Sequence, residues 1–165
     1  MMDEKEVFCD CIRQYESSMY AFAFGLVKND ADAGDILQEA ILKAYCNFHS
    51  LRDKNKFKSW MMRIIHNTAM DYFNKNKKIV FLDEVEELDD KSYSLDKETE
   101  MTVWDAVRRL KLPYRAVVIL YYYENYSILQ ISEITSTSAI TVRKQLSRGR
   151  KMLAELLKKE DFFNA

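Results

Sequence analysis

The stretch "SILQISEITSTSAITVRKQLSRGRK", residues 127–151, decides the fold of the second half of this chain. Ser127 is an N-cap candidate for a short helix whose apolar positions are Ile128, Ile131 and Ile134. The polar run at 135–138 interrupts that pattern, and a longer helix with a basic flank follows. A short helix, a turn of about four residues and a longer basic helix are typical of a helix-turn-helix.

The start of the longer helix has the chemistry of a DNA-reading surface. Ser138 is expected to cap it, so the free N–H groups and the positive end of the helix dipole can face phosphate. Arg143 can bind guanine O6 and N7 together, and Ile140 and Thr141 can contact a thymine methyl group. The residues predicted to enter a major groove are Ala139, Ile140, Thr141, Arg143 and Lys144.

Three further cations, Arg148, Arg150 and Lys151, lie one or two turns later in the same helix. At that distance from the groove they are expected to meet backbone phosphate rather than bases. The alternative interpretation is a basic surface helix that follows an ordinary helical hairpin.

Charge is distributed unevenly along the chain, although the formal net charge is only −1. Residues 1–51 carry a net −5, residues 52–78 a net +6, residues 79–100 a net −7 and residues 101–165 a net +5. Two basic blocks on either side of an acidic one suggest two sites for a polyanion, held apart by a linker. Solvated helix faces are the simpler alternative.

The composition favours helices and gives little sign of export or catalysis. There are three Gly and one Pro in 165 residues, and these are the main helix breakers. No apolar run approaches the ~20 residues that span a bilayer, and the acidic start lacks the order of a signal peptide, so a cytoplasmic protein is expected. Three cysteines without export signals argue against a disulfide framework. Neither a metal cluster nor a Gly-rich phosphate loop nor a nucleophile–base pair is recognisable, so we expect no cofactor, no metal and no enzyme activity.

The periodicity predicts an all-α protein of two small helical domains joined by an acidic linker, with the helix-turn-helix in the C-terminal domain. Domain boundaries are placed at 1–78 and 101–165, with the linker at 79–100, where no 3.6-residue period persists. In the first domain, Asp30 or Asp32 is the expected N-cap of the second helix. In the second domain, Pro113 can open a helix.

Three segments of the chain resemble one family. Residues 112–153 look like the fourth region of bacterial extracytoplasmic-function sigma factors of the sigma-70 family, with the family's Leu-Pro, Arg and closing Arg-x-Arg pattern. The segment "DADAGDILQEAILKAY", 30–45, and the segment "FKSWMMRIIHNTAMDYFNKNKK", 57–78, are similar to the family's second region. Together they cover about half of the chain in the family's order. A generic helix-turn-helix protein is not expected to contain the segments at 30–45 and 57–78.

The resemblance implies an alternative sigma factor that binds core RNA polymerase, through its β′ clamp and β flap, and directs promoter-specific initiation. Residues 101–165 would bind the minus-thirty-five element. Residues 1–78 would bind core polymerase and the minus-ten element, both as duplex and as single strand. The surface that matches the family's docking site on the β′ clamp consists of Asp35, Gln38 and Glu39.

The minus-ten assignment rests on amide, imidazole and cationic side chains, which can hold unpaired bases and follow their phosphates. Trp60 is expected to belong to the core rather than to stack on a base, and His66 to lie at the surface or duplex junction rather than to bind a metal. The residues assigned to the minus-ten element are His49, Arg52, Lys54, Lys56, Arg63, His66, Asn67, Asp71, Asn74 and Lys75.

The competing functions are a stand-alone helix-turn-helix repressor or activator and a helical adaptor with incidental charge. The family also implies an anti-sigma partner, often membrane-anchored, and no small-molecule substrate. The acidic linker is expected to act as a spacer, with mimicry of nucleic acid as the alternative. Family glycines fall at Ser136 and Ile140 of this chain, and neither Ser nor β-branched Ile favours a positive φ.

Overall fold

The computed structural model describes residues 2–80 and 102–163, and within those ranges the chain is built from helices and connecting turns. This confirms the all-α prediction for the described part. Most of the predicted acidic linker lies outside the described residues, and α3 extends to Val80, just inside it. The α-helices are α1 Glu4–Val27, α2 Asp30–Asn47, α3 Phe57–Val80, α4 Val103–Arg109, α5 Leu112–Val118, α6 Ile128–Thr135 and α7 Ala139–Phe163.

The first three helices pack around an aromatic core. Phe8 of α1 and Phe48, in a short 3₁₀ turn after α2, meet edge to face with ring centroids 5.1 Å apart. Phe57 at the start of α3 lies 6.0 Å from both rings. Edge-to-face contacts suit the quadrupoles of aromatic rings and fix their orientation. Trp60 is half-buried and lies 5.9 Å from Phe57, as expected of a core residue.

The N-cap predicted for α2 was wrong by one residue. Asn29 occupies that position, and its side chain accepts a hydrogen bond from the Asp32 backbone N–H at 2.8 Å. Lys28 ends α1 with a left-handed φ of 69°, which turns the chain so that Asn29 is extended. A cap needs this extended backbone, whereas Asp30 is already helical.

The remaining helices form the second half. Pro113 lies in the first turn of α5, as predicted, where its missing N–H costs no hydrogen bond. The helix continues into a π-helical turn at Ile119–Tyr123. Helix α7 crosses α5 closely, because a Cβ on Gly149 would lie only 3.0 Å from Val118 Cγ2.

The two halves contact each other directly, which the sequence did not predict. A single set of buried apolar residues extends from α1–α3 into α4–α7. One close approach is at Gly25 of α1, where a Cβ would lie 2.6 Å from Ile119 Cδ1 and 3.3 Å from Trp104. We call this packing of the two halves the closed arrangement. None of the described helices is both long and apolar enough to cross a membrane.

Candidate nucleic-acid interface

The turn of the helix-turn-helix keeps its shape without glycine. Ser136 takes up the left-handed conformation itself, with φ 55° and ψ 39°, and ends α6. Its N–H donates to the Ser132 carbonyl, so the strained residue also caps the helix. Ile140 does not have a positive φ and lies within α7. Of the two positions where the family has glycine, one therefore requires an unusual backbone in this chain and the other does not.

Hydroxyl residues cap both helices of the motif, as predicted. Ser127 Oγ accepts from the Gln130 N–H at 3.2 Å, and the Gln130 side chain accepts from the Ser127 N–H at 2.9 Å. This reciprocal pair is a capping box. Ser138 Oγ accepts from the Thr141 N–H at 3.2 Å at the start of α7. Both helix starts are therefore fixed by local sequence.

Helix α7 divides cleanly into an inner and an outer face. Val142 and Leu146 are buried, with relative exposures of 0% and 1%, and anchor the helix on the second half of the core. Ser138 is exposed at the N-terminus, Ala139 is half-buried and Ile140 is 63% exposed. The other residues predicted to contact DNA are all exposed: Thr141, Arg143, Lys144, Arg148, Arg150 and Lys151. The anchored face leaves the cationic face open for a polyanion.

Arg150 has a tyrosine neighbour that the sequence did not indicate. Its Nε donates to the Tyr122 hydroxyl, and its guanidinium lies 5.6 Å from the ring centroids of both Tyr121 and Tyr122. The two rings meet edge to face at 4.9 Å. Tyr122 and Arg150 are 28 residues apart, so the sequence gives no local signal of this pair.

Nine of the ten residues assigned to the minus-ten element are exposed, which leaves them accessible to a ligand. His66 is the exception, because it is only 8% exposed and lies under the second half. Burial lowers the pKa of its imidazole, against the opposing effect of a hydrogen bond with Asn67. Lys54 is exposed but engaged, since its Nζ donates to the Leu51 carbonyl at 2.8 Å and lies 3.7 Å from the Phe48 ring centroid.

The predicted polymerase-binding residues, Asp35, Gln38 and Glu39, are all exposed on α2. Glu39 pairs with Lys43 at 3.1 Å, and the same ammonium lies 3.8 Å from an Asp71 oxygen on α3. Lys43 therefore bridges a residue assigned to polymerase and a residue assigned to DNA. All three side chains are largely solvated, so the bridge contributes at most about 1 kcal/mol.

Polar contacts reinforce the closed arrangement. Arg115 is 4% exposed and donates to the Leu110 carbonyl at 2.7 Å and to the Leu26 carbonyl at the end of α1. Arg108 donates to the Lys28 carbonyl at 2.9 Å. These carbonyls are left unpaired by the end of a helix, and cations suit that end of the dipole.

An ion pair also joins the two halves, at α3. Lys58 of α3 pairs with Glu124 at 2.8 Å, and Glu124 is only 10% exposed. Glu124 follows the π-helical turn, and Asn125 then reverses the chain with a φ of 57°. Nothing local in the sequence indicates this pair, because Lys58 and Glu124 lie in different halves of the chain.

Each half of the chain is similar to a region of one known protein family. The family profile described as Sigma-70 region 2 matches residues 11–79, and the profile described as Sigma-70, region 4 matches residues 100–153. RNA polymerase sigma factor SigV of Bacillus subtilis is 34% identical over 159 residues, covering 95% of each chain. ECF RNA polymerase sigma factor SigW of the same organism is 29% identical over 170 residues, covering 94% of this chain and 91% of that one.

Solved structures share the fold. The sigma factor RpoE from Bartonella quintana, in complex with the anti-sigma factor NepR, superposes with a TM-score of 0.69 at 23% identity, covering 92% of this chain and 96% of that chain. CnrH, in complex with the cytosolic domain of CnrY, superposes with a TM-score of 0.61 at 18% identity, covering 93% and 88%.

The anchored, cation-bearing α7 in an all-helical chain defines a helix-turn-helix DNA-binding protein. The first half of the chain, α1–α3, matches Sigma-70 region 2, which restricts the class to sigma factors. The chain belongs to the RNA polymerase sigma factors, in the extracytoplasmic-function group of the sigma-70 family. It is an alternative sigma factor that directs transcription initiation.

Proposed function

We propose that the start of α7 reads the minus-thirty-five element of this sigma factor's promoters. One observation carries the proposal: α7 is anchored by Val142 and Leu146 while its opposite face presents Arg143 and Lys144 to solvent. Because Ser138 caps the same helix, its N-terminal N–H groups can approach phosphate. Arg143 supplies base discrimination, and the cations further along α7 supply affinity.

The minus-ten element binds along α3 and the loop before it. Exposed amide and cationic side chains occur at 49–56 and 63–75, and the formal charge of 52–78 is +6. Such a surface can follow the phosphates of a single strand and bond its bases. His66 would join this surface only when the second half moves away from α3.

The exposed α2 face docks on core RNA polymerase. Asp35, Gln38 and Glu39 offer carboxylate and amide groups on a rigid helix, which favours a basic partner surface such as the β′ clamp. We assign the β flap to the second half. The proposed domains are 1–78 and 101–165.

Binding both promoter elements requires the closed arrangement to open. Elements named for positions ten and thirty-five are separated by about 25 base pairs, or roughly 85 Å of straight duplex. A compact chain of this length has a radius of gyration of about 15 Å and a diameter of about 40 Å. The two halves must therefore separate when both elements are bound at once.

We also infer an anti-sigma partner, membrane-anchored, that holds this chain in the cytoplasm in an inactive form. Support comes from the two structures of similar fold, one a complex with the anti-sigma factor NepR and the other a complex with the cytosolic domain of CnrY. A photo-crosslinker at Gln38 should capture the polymerase β′ subunit in induced cells and a different, membrane-associated protein in uninduced cells. Capture of β′ in both states would contradict the masking of α2.

Promoter-specific initiation with purified core polymerase tests the proposal as a whole. Core polymerase, the full chain and a library of genomic fragments should yield transcripts whose upstream sequences share two elements. Core polymerase without the chain supplies the background. Tight binding of the chain alone to duplex DNA, with no new transcripts, would instead support a stand-alone regulator.

Two substitutions in α7 form a matched pair, since each removes one exposed guanidinium from the same helix. Arg143→Ala should lower initiation and relax preference at one base of the minus-thirty-five element, by about 1–3 kcal/mol of discrimination. Arg150→Ala should lower initiation with little change in preference and a shallower salt dependence. If both variants initiate like the wild type, the assignment of α7 to the groove is wrong.

A further inference from the structure

A cavity lies where the two halves meet. Its volume is about 370 Å³, and its walls come from α3 on one side and from α5, α6, α7 and the turn between the last two on the other. The walls are mainly apolar, with Met70, Ala116 and Val117 among them. Small-molecule sites have volumes of about 300–1,000 Å³, apolar walls and a few polar groups, and they occur preferentially at such junctions.

His66 supplies the polar group of this cavity. It is 8% exposed, lines the cavity, and its Nδ1 has no hydrogen-bond partner among the described residues. Buried polar atoms are nearly always paired. Burial lowers the pKa of the imidazole, so the ring is neutral near pH 7 and has one accepting nitrogen.

Nδ1 is the buried nitrogen of His66 that has no partner among the described residues. With the ring proton on Nε2, Nδ1 is free to accept a hydrogen bond. Among the described residues that line the cavity there is no Asp, Glu, Lys or Arg, so they offer a charged ligand no counter-charge.

We propose that this cavity binds a small, uncharged, mainly apolar molecule that donates one N–H or O–H hydrogen bond to His66 Nδ1. Because such a ligand touches both halves, it binds the closed arrangement and shifts the population towards it. The regulatory consequence rests on the proposed function: a chain held closed cannot contact both promoter elements, so the ligand lowers initiation.

Two isosteric probes test the hydrogen bond in the full chain. Indole has an apolar bicycle and one N–H donor, and benzofuran replaces that N–H with an oxygen that cannot donate. NMR titration that follows the His66 ring and the Ala116 methyl should give saturable binding of indole, about 2- to 12-fold tighter than benzofuran. No saturable shift with indole, or equal affinity for the two probes, would overturn the proposal.

Two variants test the location from opposite walls. His66→Phe keeps a ring of similar size but removes the acceptor, so the preference for indole over benzofuran should vanish. Gln145→Phe, made on α7, should fill the cavity and weaken both probes together. If one variant does not fold, the other still decides, and probe binding unchanged in a folded variant refutes the site.

A transcription assay separates this inference from the proposed function. With core polymerase, indole should lower initiation by the wild-type chain and have no effect on Gln145→Phe. Absence of initiation without any probe would contradict the proposed function while leaving the binding result intact. Saturating indole without any effect on initiation would refute the regulatory consequence.

Discussion

The contact at Gly25 gives a test of the closed arrangement in solution. Gly25→Ala adds a Cβ that would lie 2.6 Å from Ile119 Cδ1 and 3.3 Å from Trp104. Carbon atoms in contact prefer a separation of about 3.5–4.0 Å, so Ile119 must move by roughly 1 Å. Ile119 is 1% exposed and has little free space. Overpacking of this kind costs about 1–3 kcal/mol.

Gly34→Ala is the matched control. Gly34 also lies inside a helix, and a Cβ there would meet nothing within 4 Å. Replacing Gly by Ala in a helix stabilises it by about 0.5–1 kcal/mol, and this gain applies to both variants. The difference between the two variants therefore isolates the contact with the second half, at about 1–3 kcal/mol.

Thermal unfolding and small-angle scattering measure the result. For a chain of this size 1 kcal/mol shifts the midpoint by about 2–4 °C, so Gly34→Ala should melt above the wild type and Gly25→Ala at least about 2 °C below Gly34→Ala. If Gly25→Ala opens the halves without unfolding them, its radius of gyration should exceed that of the control. Equal stabilisation by the two substitutions, with equal radii, would show that α1 does not pack on Ile119 in solution.

Three further predictions address the turn, the buried histidine and the arginine–tyrosine pair. Ser136→Gly should stabilise the protein by about 1 kcal/mol in denaturant titrations, because it removes a left-handed non-glycine residue. Asn125→Gly, at a similar φ, should stabilise the protein by less, since Asn tolerates the left-handed region better than Ser. The free energy of unfolding should fall by at most about 1.4 kcal/mol per pH unit as the pH drops below the usual histidine pKa of 6.5, because the unfolded chain then binds a proton that buried His66 does not. His66→Phe should flatten this pH dependence, and an unchanged slope would contradict the burial of His66. Tyr122→Phe removes the hydroxyl that holds Arg150, so the polymerase complex should bind the promoter about 2- to 5-fold more weakly. The effect of Tyr122→Phe should be smaller in an Arg150→Ala background, and fully additive losses would exclude coupling between the two side chains.

Local signals predicted the elements of the fold well. Ser127 and Ser138 were identified as caps from their place before an apolar pattern, and Pro113 as a helix start from its fixed φ. The cap of α2 was missed by one residue because the candidates Asp30 and Asp32 have the same chemistry as Asn29. Only the left-handed Lys28 decides among them, and its backbone is set by the chain reversal.

The contact between the halves could not be predicted, because each of its parts has an ordinary local explanation. From the sequence alone, Gly25 is only a residue of low helix propensity. Its lack of a Cβ permits close packing, but against Ile119, which is far along the chain. Arg115 is a charged residue in an apolar run, which indicates a buried partner without naming it. That partner is the backbone carbonyl of Leu26, and because every residue has a backbone carbonyl, the sequence cannot show which one Arg115 binds.

The polar part of the junction is suited to reversible opening. Arg108 and Arg115 bond carbonyls at the C-terminal end of α1, and such groups can bond water instead when the halves separate. Each exchanged hydrogen bond therefore contributes a net of only about 0.5–1.5 kcal/mol to the closed arrangement. A shift from 1% to 99% open requires about 5.5 kcal/mol of preferential binding to the open form. The proposed docking of α2 on polymerase does not itself discriminate between the two forms, because the α2 face is exposed in the closed one. The discrimination must come from simultaneous contact of the second half with polymerase or DNA. Since that contact only adds to the docking of α2, the full chain should bind polymerase with equal or higher affinity than α1–α3 alone.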